Sequence, residues 1–288
     1  MVTVKNILTN SSLPRLETEM LLGFVLNKSR EDLLTHPELV INKQASLRFK
    51  KLEKKRHDNW PLAYLIKSQG FYGLNLKVSP AVLIPRPETE LIIDIFKDAL
   101  IKLPTDTKPL IVDVGTGSGA IIISLAQEIK HLPRLFDQAI FLGIDISVPA
   151  LKIAKLNASK QKLNRKIKFI KSNLLNKIPV KKFKGHDLFI AANLPYLTPQ
   201  QIKAELGIKR EPRLALAGGK DGLDYYRQLF KQLNSLPLSS LFLICEINPE
   251  QTTKLTKLAK TLIAQSTSEI KKDLRGKNRF IIIKKTTQ

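Results

Sequence analysis

The chain carries a single cysteine, Cys245, among its 288 residues. An intrachain disulfide is therefore impossible, and a metal cluster built on cysteine ligands is excluded with it. No stretch reaches the roughly 18 uninterrupted apolar residues that a membrane helix needs. The opening segment MVTVKNILTN lacks the apolar run of a secretory signal. His36, His57, His131 and His186 are the only histidines, and they fall in no catalytic arrangement. There is no internal repeat and no low-complexity linker. Together these absences point to a soluble, cytoplasmic protein with no membrane contact.

What is present is ordinary in amount and lopsided in sign. Hydrophobic residues make up 43% and charged residues 25%, the proportions of a globular protein. The length exceeds the usual single-domain size of about 100–200 residues, so one large or two modest domains are expected. Lys and Arg total 48 against 25 Asp and Glu, a net charge of +23. The excess is spread along the chain and forms no polybasic tail. Such a field favours electrostatic contact with RNA or the ribosome. It equally suits a lysine-rich chain that stays in solution, because no aromatic-interleaved basic motif marks a nucleic-acid surface.

Residues 1–69 read as a small helical domain. Leu16, Met20, Leu21, Phe24 and Val25 recur at helical spacing after Pro14. A second short helix follows Ser29, with Glu31 and Asp32 in its first turn, and a basic third covers Ala45–His57. Residues 70–86 alternate as a strand does, with Leu74, Leu76 and Val78 on one side, and read as a linking hairpin. A helix is expected from Glu88 to Leu103, with Pro87 at its first position. Residues 87–288 then alternate apolar runs with helical stretches. The strand candidates are Leu110–Val114, Ala139–Ile144, Ile167–Ile170, Leu188–Ala192 and Leu241–Ile247. Helices are expected near Ser118–Lys130, Val148–Lys160, Gly222–Leu233 and Pro249–Ala264. Alternation of this kind makes an α/β domain with a mostly parallel sheet. Ser266–Asp273 and Asn278–Ile283, around Gly276, read as a closing antiparallel hairpin.

Three segments carry the chemistry. Asp113-Val-Gly-Thr-Gly-Ser-Gly119 follows a strand and opens a helix. Glycines there let the backbone turn sharply and approach a ligand, and the helix amino terminus favours an electron-rich group. Asp145 ends the next strand, where an acid accepts hydrogen bonds from the hydroxyls of an adenosine ribose. Gly115-x-Gly117-x-x-Ala120 also satisfies the relaxed dinucleotide pattern, so S-adenosylmethionine and nicotinamide dinucleotides both remain open on these residues. Asn193-Leu194-Pro195-Tyr196 follows a third strand. Its carboxamide oxygen and the carbonyl held ahead of proline can each accept a hydrogen from an NH2 group. Orienting such a nitrogen suits in-line attack on a methyl sulfonium, which needs positioning more than acid–base help.

Asn193-Leu-Pro-Tyr196 resembles the Asn-Pro-Pro-Tyr motif of methyltransferases that modify planar NH2 groups. More of the chain resembles the HemK/PrmC family, the release-factor glutamine methyltransferases. Pro61-Leu-Ala-Tyr64, Gly70-Phe-Tyr-Gly73 and Leu83-Ile-Pro-Arg-Pro-Glu-Thr-Glu90 are similar to that family's domain junction. Asp113–Gly119 is similar to its cofactor loop. Glu211-Pro-Arg-Leu-Ala-Leu216, Gly218-Gly-Lys-Asp-Gly-Leu223 and Lys272-Asp-Leu-Arg-Gly276 with Arg279 resemble its later segments. The likeness runs from about residue 13 to the end.

The resemblance implies a class I, Rossmann-like S-adenosylmethionine-dependent methyltransferase domain behind a helical domain that recognises the substrate protein. It implies methyl transfer to the glutamine of the Gly-Gly-Gln motif of class I peptide chain release factors, with S-adenosylhomocysteine as product. By position, Asp113, Gly115, Thr116, Gly117, Ser118, Gly119 and Asp145 would hold the cofactor. Asn173 and Leu174 would lie beside its adenine. Asn193, Leu194, Pro195 and Tyr196 would hold the glutamine, with Asn193 also at the cofactor. The chain departs from the family pattern at Leu194, usually proline, at Asn173, usually Asp, and at Glu246-Ile-Asn248, usually Glu-Ile-Gly. The rival acceptors are a ribosomal-protein glutamine and an exocyclic amine of a nucleic acid.

Overall fold

Short capped helices build the first of the chain's two units, Met1–Ser68; the second is Gln69–Gln288. The structure is a computed structural model, and it describes residues 1–183, 185–238 and 240–286. Strand β1 (Val2–Thr3) leads into α1 (Val4–Asn10), where Thr3 and Asn6 form a capping box. Then come α2 (Arg15–Leu26), α3 (Arg30–Thr35), β2 (Val40–Ile41), α4 (Lys43–His57) and α5 (Leu62–Ile66). Val4, Leu21, Leu22, Leu33 and Phe49 bury their side chains in one shared cluster. Within this unit Glu19 is buried and accepts from Arg15 and Arg30, whose guanidinium hydrogen bonds hold its carboxyl below the usual range. The sequence pattern reveals α2, α3 and α4. It misses α1, α5 and the β1–β2 pair, which are too short to display a period.

The second unit begins within β3 (Ser68–Phe71), which forms a hairpin with β4 (Leu74–Lys77). Its two-residue turn, Tyr72–Gly73, has both residues at positive φ, as a tight hairpin demands. Phe71 and Leu76 are buried in this unit's own core. A 3₁₀ turn (Pro87–Glu90) precedes α6 (Leu91–Ile101), so the single helix expected there begins as a tighter turn. Next come β5 (Pro109–Val114), α7 (Ala120–Glu128), α8 (Pro133–Gln138), β6 (Ile140–Asp145), α9 (Val148–Lys160) and β7 (Ile167–Lys171). The chain continues with β8 (Asp187–Ala192), α10 (Pro199–Ala204), α11 (Asp224–Asn234), β9 (Ser240–Glu246), α12 (Thr252–Leu262), β10 (Ser266–Lys272) and β11 (Asn278–Thr286).

Seven strands form one sheet in the order β10-β11-β9-β8-β5-β6-β7. The five from β7 to β9 run parallel, while β11 lies antiparallel to β9 and β10 antiparallel to β11. Side-chain alternation divides the core between the two faces of this sheet. Leu110, Val112 and Val114 of β5 join Tyr226 and Phe230 of α11 on one face. Ile111 joins Phe96 of α6 and Ile122 of α7 on the other. A strand buried on both faces reads as one continuous apolar run, which is why β5 is conspicuous in the sequence.

One buried amide ties the hairpin to the loop after β5. Asn157 of α9 accepts from the Lys77 N–H at 2.7 Å and donates to the carbonyls of Lys77 (3.0 Å) and Ser118 (2.8 Å). Asn157→Ala leaves these groups without their partner. It should lower unfolding free energy by about 1–3 kcal/mol, measured by urea denaturation. An unchanged midpoint and slope would show that the clamp contributes nothing.

Candidate active site

Four loops meet at the carboxyl edge of the parallel sheet. β5 lies between β8 and β6, so the chain leaves this strand in opposite directions, and a crevice opens there. In the loop after β5, the Gly115 and Thr116 N–H groups both donate to the Ile144 carbonyl at 2.8 Å. Gly115, Gly117 and Gly119 all have positive φ, the region that disfavours side chains. At Gly119 a Cβ would also stand 2.7 Å from Ile123 Cδ1, so glycine is required there for α7 to pack.

Asp145 closes the loop from the β6 side. Its Oδ2 accepts from the Gly117 N–H at 2.9 Å and its Oδ1 from the Ser147 N–H at 2.8 Å. Burial raises its carboxyl pKa above the usual value. The helix cap of α9 belongs to Ser147, whose Oγ accepts from the Ala150 N–H. After β7, exposed Asn173 and buried Leu174 turn beside the crevice, with Leu174 at φ +50°. A non-glycine residue in this region is uncommon and marks a loop held by its surroundings.

Two cavities share the residues after β8. The larger, about 1050 Å³, is lined by Gly115, Thr116, Gly117, Ser118, Asp145, Asn173, Leu174, Asn193, Leu194 and Pro195. The smaller, about 510 Å³, is lined by Tyr196, Glu205, Ile208 and Glu246, and again by Asn193 and Leu194. Of the residues singled out in the sequence, Asp113 and Gly119 line neither cavity, and Tyr196 lines only the smaller one. Asp113 is fully buried behind the loop, where its Oδ2 accepts from the Thr116 hydroxyl at 2.6 Å. Its Oδ1 has no hydrogen-bond partner among the described residues.

Segment 193–196 is held by residues the sequence did not nominate as site residues, some of which also line the cavities. Asn193 Nδ2 donates to Thr89 Oγ1 at 3.3 Å, and Thr89 Oγ1 donates to Glu246 Oε2 at 2.7 Å. The Tyr196 hydroxyl donates to Glu246 Oε1 at 3.3 Å. The Tyr226 hydroxyl donates to the Glu246 carbonyl. Gln251 Nε2 donates to the carbonyls of Tyr196 (2.8 Å) and Asp221 (3.1 Å). Arg86 pairs with Glu211, whose Oε2 also accepts from the Ile84 N–H at 3.2 Å. Thr89, Arg86 and Glu211 lie in the motifs Leu83–Glu90 and Glu211–Leu216 already noted, yet nothing in their spacing announces these pairings. Among the described residues no group of His, Cys, Asp and Glu is arranged to hold a metal ion.

A glycine-cradled cleft at the switch point of such a sheet is the architecture of a Rossmann-like methyltransferase. A family model described as "Methyltransferase domain" matches residues 107–279, and one described as "PrmC N-terminal domain" matches residues 3–66. The chain is 34% identical to the release factor glutamine methyltransferase of Coxiella burnetii, over 96% of this chain and 94% of that one. It is 36% identical to that of Moorella thermoacetica, over 93% and 90%. The chain belongs to the release factor glutamine methyltransferase family. The fold is shared more widely. The solved catalytic domain of hMettl16 superposes with a TM-score of 0.54 at 15% identity, covering 87% of this chain and 84% of that one.

Asp113 gives this site a testable pH dependence. An ordinary aspartate titrates near 3.8, and burial, helped by the charge of Asp145, pushes Asp113 to about 7. Between these values the folded protein keeps a proton that the unfolded chain has released, so stability falls as pH rises through that window. Asn copies the neutral acid. Asp113→Asn should therefore gain on the parent as pH rises from about 4.5 to 8, by roughly 3 kcal/mol overall. Thermal melts of both proteins across that range check it; a constant difference would mean Asp113 does not titrate in the window.

Proposed function

We propose that the protein transfers a methyl group from S-adenosylmethionine to the side-chain amide nitrogen of the glutamine in the Gly-Gly-Gln motif of class I release factors. The observation that carries this reading is the junction at Asn193 and Leu194, which line both the glycine-floored cleft and the smaller cavity beside it. One side suits a cofactor and the other an acceptor side chain. The relatives' names supply the acceptor class.

The residues present fit the cofactor. Gly115, Gly117 and Gly119 keep side chains off the cleft floor, and the Asp145 carboxylate retains acceptor capacity for ribose hydroxyls beyond its two backbone bonds. Leu174 offers an apolar surface and Asn173 a carboxamide to the adenine. Thr116 and Ser118 complete the cradle, and Asp113 supports it through Thr116. When bound, S-adenosylmethionine supplies an electrophilic methyl on a positively charged sulfur.

The rest of the work is positioning by the chain itself. The Asn193 carboxamide oxygen and the Leu194 carbonyl accept the two N–H bonds of the glutamine amide. Pro195 stiffens the turn that presents them. The Tyr196 ring packs beside the amide, where its face favours a nearby cation. Holding the nitrogen in line with the methyl group replaces much of the entropy cost of a bimolecular encounter. The helical first unit contributes recognition of the release factor, in the cytoplasm, and the positive charge of the chain favours meeting that partner near ribosomal RNA.

Tritiated S-adenosylmethionine should label a purified class I release factor, and the label should vanish when the glutamine of its Gly-Gly-Gln motif is replaced. Label arriving instead in a ribosomal protein or in RNA would overturn the assignment. Asn193→Ala should lower kcat by about 10²-fold while cofactor affinity by calorimetry stays the same. Tyr196→Phe should be mild and Tyr196→Ala severe, since the ring and not the hydroxyl faces the acceptor.

A further inference from the structure

A primary carboxamide looks nearly the same from either end, so an asparagine that must offer its oxygen has to be told which way to face. The surroundings of Asn193 contain that instruction. We propose that Glu246 and Thr89 are positioning residues that fix the Asn193 carboxamide with its oxygen toward the acceptor and its NH2 group toward the protein. The inference rests on the reading of Asn193 as the acceptor for the glutamine N–H.

The available protons fix the direction of each bond. Glu246 is buried, and as a carboxylate it can only accept. Thr89 is also buried, has one hydroxyl proton, and gives it to Glu246 Oε2 at 2.7 Å. Thr89 Oγ1 then has only lone pairs left for Asn193, so the atom facing it at 3.3 Å must be the donor Nδ2. The Asn193 oxygen is thereby turned the other way. A second branch of the same carboxylate, Oε1, accepts from the Tyr196 hydroxyl at 3.3 Å, so one buried charge orients both ends of the acceptor segment. Anchoring is secure from the backbone side as well, because the Tyr226 hydroxyl of α11 donates to the Glu246 carbonyl.

Protonation reverses this chain of donors. A protonated Oε2 donates to Thr89, the Thr89 proton turns toward residue 193, and the carboxamide must present its oxygen inward and its NH2 group to the substrate. Donor then meets donor. Burial raises the Glu246 carboxyl, and Glu88 in the turn before α6 adds to that effect. Hydrogen bonds from Thr89 and Tyr196 and the charge of Arg279 on β11 oppose it, while Arg86 acts on Tyr196 from the other side. The reversal is therefore a loss of kcat as pH falls.

Five variants of the full chain decide the matter, with kcat, KM for a class I release factor and cofactor affinity measured for each. Glu246→Gln can donate to Thr89 and so imitates the reversed state. It should lower kcat at least about tenfold, leave cofactor affinity within about twofold, and abolish the acid-side fall in kcat. Thr89→Val should match that loss and Thr89→Ser should restore activity to within about threefold of the parent. In an Asn193→Ala background, Thr89→Val should cost nothing further, because the group it positions is gone. Should Glu246→Gln fail to fold, the Thr89 pair and its Asn193 background settle the question alone. Parent-like kcat in Thr89→Val, with Asn193→Ala inactive, would overturn the relay and leave the acceptor reading standing. Parent-like kcat in Asn193→Ala would overturn both.

Discussion

A parallel sheet that is extended first to one side of a strand and then to the other must part its loops at that strand's carboxyl end. Here the strand is β5, with β6 and β7 added on one flank and β8 and β9 on the other. The helices that return the chain lie over opposite faces, so the loops after β5 and β8 leave in opposite directions. The crevice between them is a product of connectivity before it is a product of side chains. Everything chemical in the molecule is set at its edges. The glycine turn lies beneath it, Asp145 stands on the β6 side, and Asn193 to Tyr196 stand on the β8 side.

Much of this architecture was legible because burial on both faces writes itself as unbroken apolar runs. β5, β6, β8 and β9 each lie within a residue or two of the boundaries read from pattern alone, and α9 agrees at both ends. The misses share one cause. α1, α5, α8 and α10 span five to seven residues, fewer than two full turns, and their form comes from caps and from what they pack against. The start of α6 departs from the pattern for a related reason. Pro87 is a good helix opener, but Thr89 is drawn into a hydrogen bond with a strand 157 positions away, and the chain takes a tighter turn there.

Within the site, the sequence exposed the local motifs and hid the partners that reach them across the fold, although Thr89 and Glu246 themselves line the cavities. A glycine run, an acid at a strand end and an Asn-x-Pro-Tyr turn have local signatures with local causes. Thr89, Glu246, Tyr226 and Gln251 act across the fold, and no spacing rule connects them. Leu194 illustrates the difference. Read as letters, it is a departure from proline; in the structure its side chain is buried against Gly115, 3.2 Å from where a Cβ there would stand. Here packing of the side chain holds the position.

Cys245 takes no part in any of this, and that has a practical side. It sits on β9 between β8 and β11 with no exposed surface, and burial pushes its thiol far above its ordinary pKa. A thiolate is the reactive form, so the native chain is silent toward thiol reagents. Slow modification of Cys245 then reads out opening of the sheet's interior, a clock for global unfolding that needs no engineered reporter. The same silence makes every cysteine introduced at the surface uniquely addressable, including one beside the crevice, where a fluorescent or spin label would report the arrival of the acceptor.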